Sequence, residues 1–232
     1  MGGIIQMENI DLICMWIAEL VPLCATLGSF IYGVNKFFKK GKPLFLQSIT
    51  MAMGSHALGS IYHLCQTLTT EEVLEGFTPA YLGRIGFFLF FIAASYGQMD
   101  RIVDDGSQKV KPSRYIALIA PVCAILLYLP NGTMEDLPIE TKIAALLVWL
   151  PAIVSVYYNL KHAIIPDCDF GFIKAIKLYN IFAVCLGFAE LLCLTAWDYL
   201  YNTQLVICSI VFAMFCVAMM HAAKKGAEKW TI

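Results

Sequence analysis

The chain has 232 residues, of which 59% are hydrophobic and only 14% are charged. Soluble domains carry about a quarter charged residues, so this composition, with a mean hydropathy of +0.72, excludes an ordinary soluble protein and predicts an integral membrane protein surrounded by membrane lipids. The formal net charge is −1 and no basic run is long enough for nucleic acid, so we expect no nucleic-acid partner.

Seven segments are apolar and long enough, or nearly so, to cross the hydrocarbon core, which takes about 20 residues of helix. In chain order they cover residues 10–35, 43–68, 78–99, 115–129, 141–165, 172–197 and 200–222. The fourth segment is the shortest, and the connections between segments are short throughout. The sequence therefore predicts an all-α polytopic membrane protein, with residues 1–232 forming one seven-transmembrane helix bundle.

Lysine and arginine concentrate in alternate connections of this bundle. They follow the first and third segments, flank the connection between the fifth and sixth, and close the chain, whereas Asp and Glu dominate the remaining connections. Short cytoplasmic loops are enriched in Lys and Arg. We therefore expect the N-terminus outside and the C-terminus inside a cell membrane.

A weak internal repeat links the second and sixth segments. The stretch LGSIYHLC begins at Leu58 and LGFAELLC begins at Leu186, and the two are identical at four of eight positions. Pro22 in the first segment and Pro151 in the fifth have nearly the same offset. Segments one to three and five to seven run in the same directions, so the sequence suggests a parallel 3+1+3 duplication of a kind that transporters use.

Five ionisable side chains lie inside the predicted spans, where each costs roughly 2.5 kcal/mol or more at the centre of the bilayer. They are Glu19 in the first segment, His56 and His63 in the second, Arg84 in the third and Glu190 in the sixth. A rise of about 1.5 Å per residue puts four of them at one level in the outer half, with His56 beneath them. Such groups usually face the bundle interior, so we expect a solvated pocket in the outer half that binds a small ligand.

The same residues permit two other interpretations. Arg84 paired with a carboxylate, and histidines bonded to hydroxyls, would simply hold the helices together. A zinc ion, if one is present, would suit Glu19, His63 and Glu190. His56 and His63 do not fit one ion, because their spacing separates them by about 10.5 Å along the helix axis. We assign no metal.

No cofactor is expected. The last segment has no internal lysine for a retinal Schiff base, and His162 and His221 lie at inner ends, so matched histidines for haem are missing. No two of the nine cysteines form a Cys-x-x-Cys pair, which argues against a disulfide oxidoreductase.

Three hypotheses of different classes remain. The leading one is a transporter whose small polar or charged solute binds among the five residues, with a carboxylate or histidine exchanging protons. The second is a receptor or sensor with the same pocket, which would signal through a cytoplasmic partner protein because the chain has no output domain. The third is an intramembrane metal-dependent hydrolase, so the sequence leaves enzymatic activity undecided.

Overall fold

The computed structural model describes residues 9–69, 77–100, 103–133, 138–166, 172–197 and 203–228. The described residues form helices and their connections. The helices are α1 (Asn9–Phe37), α2 (Leu44–Thr69), α3 (Pro79–Ala94) with a π-helical turn (Ser95–Asp100), α4 (Lys111–Ala117), α5 (Ile119–Thr133), α6 (Ile139–Ile164), α7 (Phe172–Trp197) and α8 (Thr203–Glu228).

Six helical stretches of the described chain are long and apolar enough to cross a membrane. They are Ile13–Phe37, Pro79–Asp100, Lys111–Leu129, Ile139–Ile164, Ile176–Thr195 and Thr203–Glu228. Helix α2 has the length, at 26 residues, but His56, His63 and several Ser, Thr and Gln residues make it less apolar than these six. The prediction of a helical, multi-pass membrane protein is confirmed. The count of seven spans and the orientation stay predictions.

The fourth predicted segment begins earlier than the sequence suggested and is divided in two. Predicted over 115–129, it begins at Lys111, where Pro112 occupies the first turn of α4, a position at which proline costs no hydrogen bond. Pro121 has no N–H to donate to the carbonyl of Ala117, and the helix is interrupted at Leu118. The segment is therefore α4 and α5 in succession.

Six of the helices form a closed ring. Each packs on the next in the order α1, α2, α3, α6, α7, α8, and α8 packs on α1 again. Helices α4 and α5 lie outside this ring and pack mainly on α6. The ring interior is filled by large buried side chains, among them Phe87, Tyr179 and Phe212, whereas Trp149 packs against α5 outside the ring.

Large apolar side chains also cover the outside of the ring. Leu58 of α2 is 69% exposed and Met214 of α8 is 66% exposed, and similar residues occur on every long helix. So much exposed apolar surface is unfavourable in water but suits a protein surrounded by lipid chains.

Two ends of the bundle are distinguished by charge. We call the end that holds Lys36, the π-helical turn, Arg114 and Lys161 the basic end. The opposite end holds the beginning of α1 and the end of α2.

Helices α2 and α3 approach most closely at two glycines. A Cβ on Gly59 would lie 2.9 Å from the Cα of Gly83, and one on Gly83 would lie 2.8 Å from both the Gly59 nitrogen and the Ser55 carbonyl oxygen. Real Cβ atoms do not come so close to backbone atoms, so the α2 and α3 backbones can approach this closely only with glycine at both positions. Small residues commonly allow membrane helices to pack closely.

We expect Gly83→Ala to lower the free energy of unfolding by about 1–3 kcal/mol, because the new methyl group forces backbone apart. Gly28→Ala on α1 is the matched control, since a Cβ there has no neighbour within 4 Å. Thermal unfolding in one detergent measures both. Equal stability of the two variants would contradict the close contact.

Candidate functional site

Glu190 of α7 binds two partners from other helices at the centre of the ring. Its Oε1 accepts a hydrogen bond from Arg84 Nε of α3 at 2.9 Å, and its Oε2 lies 3.1 Å from His56 Nε2 of α2. Both the Glu190 and the His56 side chains are 3% exposed. We call His56, Arg84 and Glu190 the central triad.

The surroundings of His56 indicate which ring nitrogen carries a proton. A carboxylate only accepts hydrogen bonds, so the contact with Glu190 requires a proton on Nε2. The other nitrogen, Nδ1, lies 3.3 Å from the Ser60 hydroxyl, which donates to it when the imidazole is neutral. Phe212 stacks on the ring at 4.8 Å between centroids and Phe87 meets it edge-on at 5.3 Å. His56 is thus held in one orientation, with Nε2 towards Glu190 and Nδ1 towards Ser60.

Glu19 and His63 form a second pair nearer the opposite end. Glu19 Oε1 of α1 lies 3.3 Å from His63 Nε2 of α2, and the side chains are 14% and 13% exposed. They are less buried than Glu190 and His56, which fits a position between the triad and the surrounding medium.

A cavity of about 30 Å³ lies against the central triad and also reaches Glu19. It is lined by Ala18, Glu19, Pro22, His56, Ser60, Arg84, Glu190, Cys193, Leu205 and Ser209. A water molecule needs roughly 10–15 Å³ of such space, so this volume holds about two waters. The cavity is polar and in contact with charged groups, and its volume is smaller than that of a metabolite.

The structure brings the five predicted site residues into one region. The pairs that they form differ from those expected from the depths of their Cα atoms in the membrane. His56, expected beneath the level of Glu190, contacts it directly, because a glutamate side chain extends several Å from its own Cα. His63, expected at that level, pairs with Glu19 instead. Arg84 does pair with a carboxylate, Glu190, as the packing interpretation required. Binding of a ligand by these residues stays a prediction.

No group of three or more His, Cys, Asp or Glu side chains in the described parts of the chain is placed to hold a metal ion. Glu190, one of the three residues that we named as ligands for a zinc ion, is bound to Arg84 and His56 instead.

A second charged cluster lies at the basic end. Lys161 of α6 is 3% exposed and forms ion pairs with Asp100 at the end of the π-helical turn and, at 3.2 Å, with Asp104. His162 Nε2 lies 2.9 Å from Asp100 Oδ1. Arg114 of α4 donates from Nε and Nη2 to the two oxygens of Asp104 at 2.8 and 2.5 Å. We call these five residues the basic-end network.

Asp104 lies between two of the apolar stretches, and its surroundings keep it charged. The hydrogen bonds from Arg114 hold the pKa of the Asp104 carboxyl below its usual range, opposed in part by burial. The backbone N–H of Gly106 and the ammonium of Lys161 lower it further. Asp104 is therefore an anion at any physiological pH and keeps its two cations in place.

Sequence reasoning did not identify this network. The charge pattern accounts for Arg114 and Lys161 only as basic residues of the connections. The spacing of Asp100 and Asp104, one helical turn apart, is a signal that would have placed two carboxylates together. Their partners on α4 and α6 become evident only when α3 and α6 are known to be neighbours.

Of the buried side-chain atoms without a hydrogen-bond partner among the protein atoms of the described chain, four belong to residues that are 0% exposed. They are Asn159 Oδ1, His162 Nδ1, Tyr179 Oη and Asn180 Oδ1. All lie on α6 and α7, on the basic-end side of the crossing at which Gly187 meets Val156. A buried polar atom without a hydrogen bond lowers stability by about 1–3 kcal/mol. We therefore expect ordered water molecules to bond these four groups.

Comparison with protein-family models, curated proteins and solved structures finds no match to this chain. The fold and its buried charges define the chain as a helical, multi-pass membrane protein with an ion-paired centre.

We expect Glu190→Met to destabilise the bundle by about 3–5 kcal/mol, because it leaves the Arg84 guanidinium buried without its carboxylate. The double variant Arg84→Met, Glu190→Met should recover most of that loss, since apolar groups of similar size replace both charges. Thermal unfolding measures the three proteins. Glu228→Met in the exposed Lys224–Glu228 pair is the control and should change little. A double variant no more stable than Glu190→Met would contradict the pairing.

Proposed function

We propose that this protein is a proton-coupled transporter of a small polar or charged solute, with its binding site formed by the central triad and the Glu19–His63 pair. One observation carries the proposal: ionisable side chains from α2, α3 and α7 meet at the centre of a closed helix ring, beside a polar cavity. Ionisable groups buried in membrane helices typically mark substrate or proton pathways.

The triad offers recognition groups for both signs of charge. The Arg84 guanidinium can bind a solute carboxylate, and the Glu190 carboxylate can bind a solute ammonium group. In the structure these two side chains neutralise each other, with Arg84 Nε 2.9 Å from Glu190 Oε1. A solute that carries both groups would exchange this internal pair for two external ones, so a zwitterion or a small acid fits the site best.

His56 supplies the proton step of the proposed cycle. It bonds Glu190 on one side and Ser60 on the other. When the Nε2 proton of His56 passes to the Glu190 carboxylate, Nδ1 takes the proton of the Ser60 hydroxyl, and Ser60 takes a replacement proton from the cavity that it lines. Histidine exchanges protons readily near neutral pH.

The small volume of the cavity corresponds to a step of such a cycle at which no solute is bound. About 30 Å³ is too small for a solute of several atoms, so the site has to open towards one end at a time. The Glu19–His63 pair stands on one side of the triad and the basic-end network on the other. Opening at either end would separate one of these two sets of ion pairs, and the unpaired groups of α6 and α7 would line the route to the basic end.

The helix order supports the proposed internal repeat. In the ring, a half-turn about the central axis exchanges α1 with α6, α2 with α7 and α3 with α8, which is the correspondence that a 3+1+3 duplication requires. Helices α4 and α5 then form the linking fourth span outside the ring. With α2 counted as a span, the proposed bundle has seven, with the basic end at the cytoplasmic face of the cell membrane.

Solid-supported membrane electrophysiology on the full-length chain in liposomes tests the proposal. The solutes are applied as concentration jumps and comprise zwitterionic amino acids, small carboxylic acids and small amines, each at several pH values. We expect at least one class to give a pH-dependent current that Glu190→Gln reduces by more than tenfold, because the site loses its anion.

Glu140→Gln is the matched control, since it removes an exposed carboxylate in the first turn of α6. It should leave the current unchanged. The absence of both a current and a solute-driven change of luminal pH for every class in the unaltered protein, or equal signals from the Glu190→Gln variant, would refute transport. Solute binding in a thermal-shift assay without any current would instead indicate the receptor hypothesis.

A further inference from the structure

A cleft of about 340 Å³ opens at the basic end of the bundle, and the proposed transport site does not include it. Ser107 and Gln108 line it from the turn before α4, Lys111 and Arg114 from α4 itself, and Tyr157 from α6. Its volume lies within the range of small-molecule sites, about 300–1,000 Å³.

The polar lining of the cleft suits an anion with several oxygen atoms. Lys111 and Arg114 are both cationic, and none of the described residues that line the cleft is a carboxylate. Ser107, Gln108 and Tyr157 add neutral hydrogen-bond donors. Ammonium and guanidinium groups beside hydroxyl and amide donors are the usual partners of a phosphate group.

Arg114 is held in place for this role by a residue outside the cleft. Its Nε and Nη2 donate to Asp104, which leaves three of the five guanidinium N–H groups for another acceptor. Asp104 also accepts from the backbone N–H of Gly106 at 3.0 Å, so the same carboxylate fixes the turn that forms one wall. A guanidinium already fixed in this way loses little entropy when it binds an anion.

The apolar side of the cleft indicates where the phosphate comes from. Tyr115 and Leu118 line it and are 65% and 48% exposed, and Ile119, the next residue, is 62% exposed. These residues begin the apolar stretch Lys111–Leu129. The cleft therefore joins a cationic pocket to a lipid-facing surface, at the level where the polar part of a membrane meets its hydrocarbon.

We propose that this cleft binds the phosphate-bearing headgroup of an anionic phospholipid, with an acyl chain lying along Tyr115, Leu118 and Ile119. Lys111 and Arg114 bind the phosphate oxygens, and Ser107 and Gln108 donate to the same headgroup. The bound lipid braces α4 against α6 beside the basic-end network. The proposal does not depend on transport, because it uses none of the residues of the central triad.

Native mass spectrometry of the full-length protein tests this site. Purified protein is equilibrated separately with phosphatidylglycerol, with phosphatidylcholine and with inorganic phosphate, and the bound species are counted. We expect phosphatidylglycerol to be retained in preference to phosphatidylcholine. Lys111→Gln should weaken that retention about fivefold, since one Lys near a membrane surface contributes about 1 kcal/mol.

Lys109→Gln is the matched control, because it removes the same charge two residues earlier from an exposed side chain that does not line the cleft. It should leave retention near the unaltered level. Equal losses in the two variants would overturn the site in favour of general electrostatic attraction. Inorganic phosphate that binds as tightly as the lipid would overturn the lipid assignment, and retention of both lipids alike would overturn the proposal altogether.

Discussion

The carboxylate of Glu190 is the constraint on which the rest of this bundle depends. A charged group at 3% exposure inside an apolar protein is stable only when its partners are fixed around it. Arg84 and His56 supply those partners from α3 and α2, so three helices have to meet at one point. The glycine contact between α2 and α3 brings these two helices close together, and the aromatic rings of Phe87 and Phe212 enclose the imidazole.

This arrangement combines a closed ring with charged groups on both sides of its centre. The Glu19–His63 pair lies towards one end and the basic-end network towards the other, with a cavity of only about 30 Å³ against the triad. The described chain thus has ion pairs at different depths along the bundle. Buried polar groups of α6 and α7 also lie on the basic-end side of the bundle.

Much of the fold could be predicted from hydropathy alone, whereas the side-chain pairing could not. The sixth predicted segment, 172–197, coincides with α7, Phe172–Trp197, because its apolar run is long and uninterrupted. Residue spacing gives the depth of a Cα atom and omits the length of the side chain, so it could not pair His56 with Glu190. The contact between His162 and Asp100 joins residues 62 apart in the chain and follows from the ring order, which hydropathy does not contain.

The central claim is that Glu190 is an anion inside the bundle, held between Arg84 and His56. Infrared difference spectroscopy of the full-length protein against Glu190→Gln, in lipid at neutral pH, tests it most directly. The account predicts that the substitution removes carboxylate stretching bands and that Arg84→Met converts them to the band of a protonated carboxyl group. A protonated carboxyl band in the unaltered protein at neutral pH that Glu190→Gln removes would contradict the account.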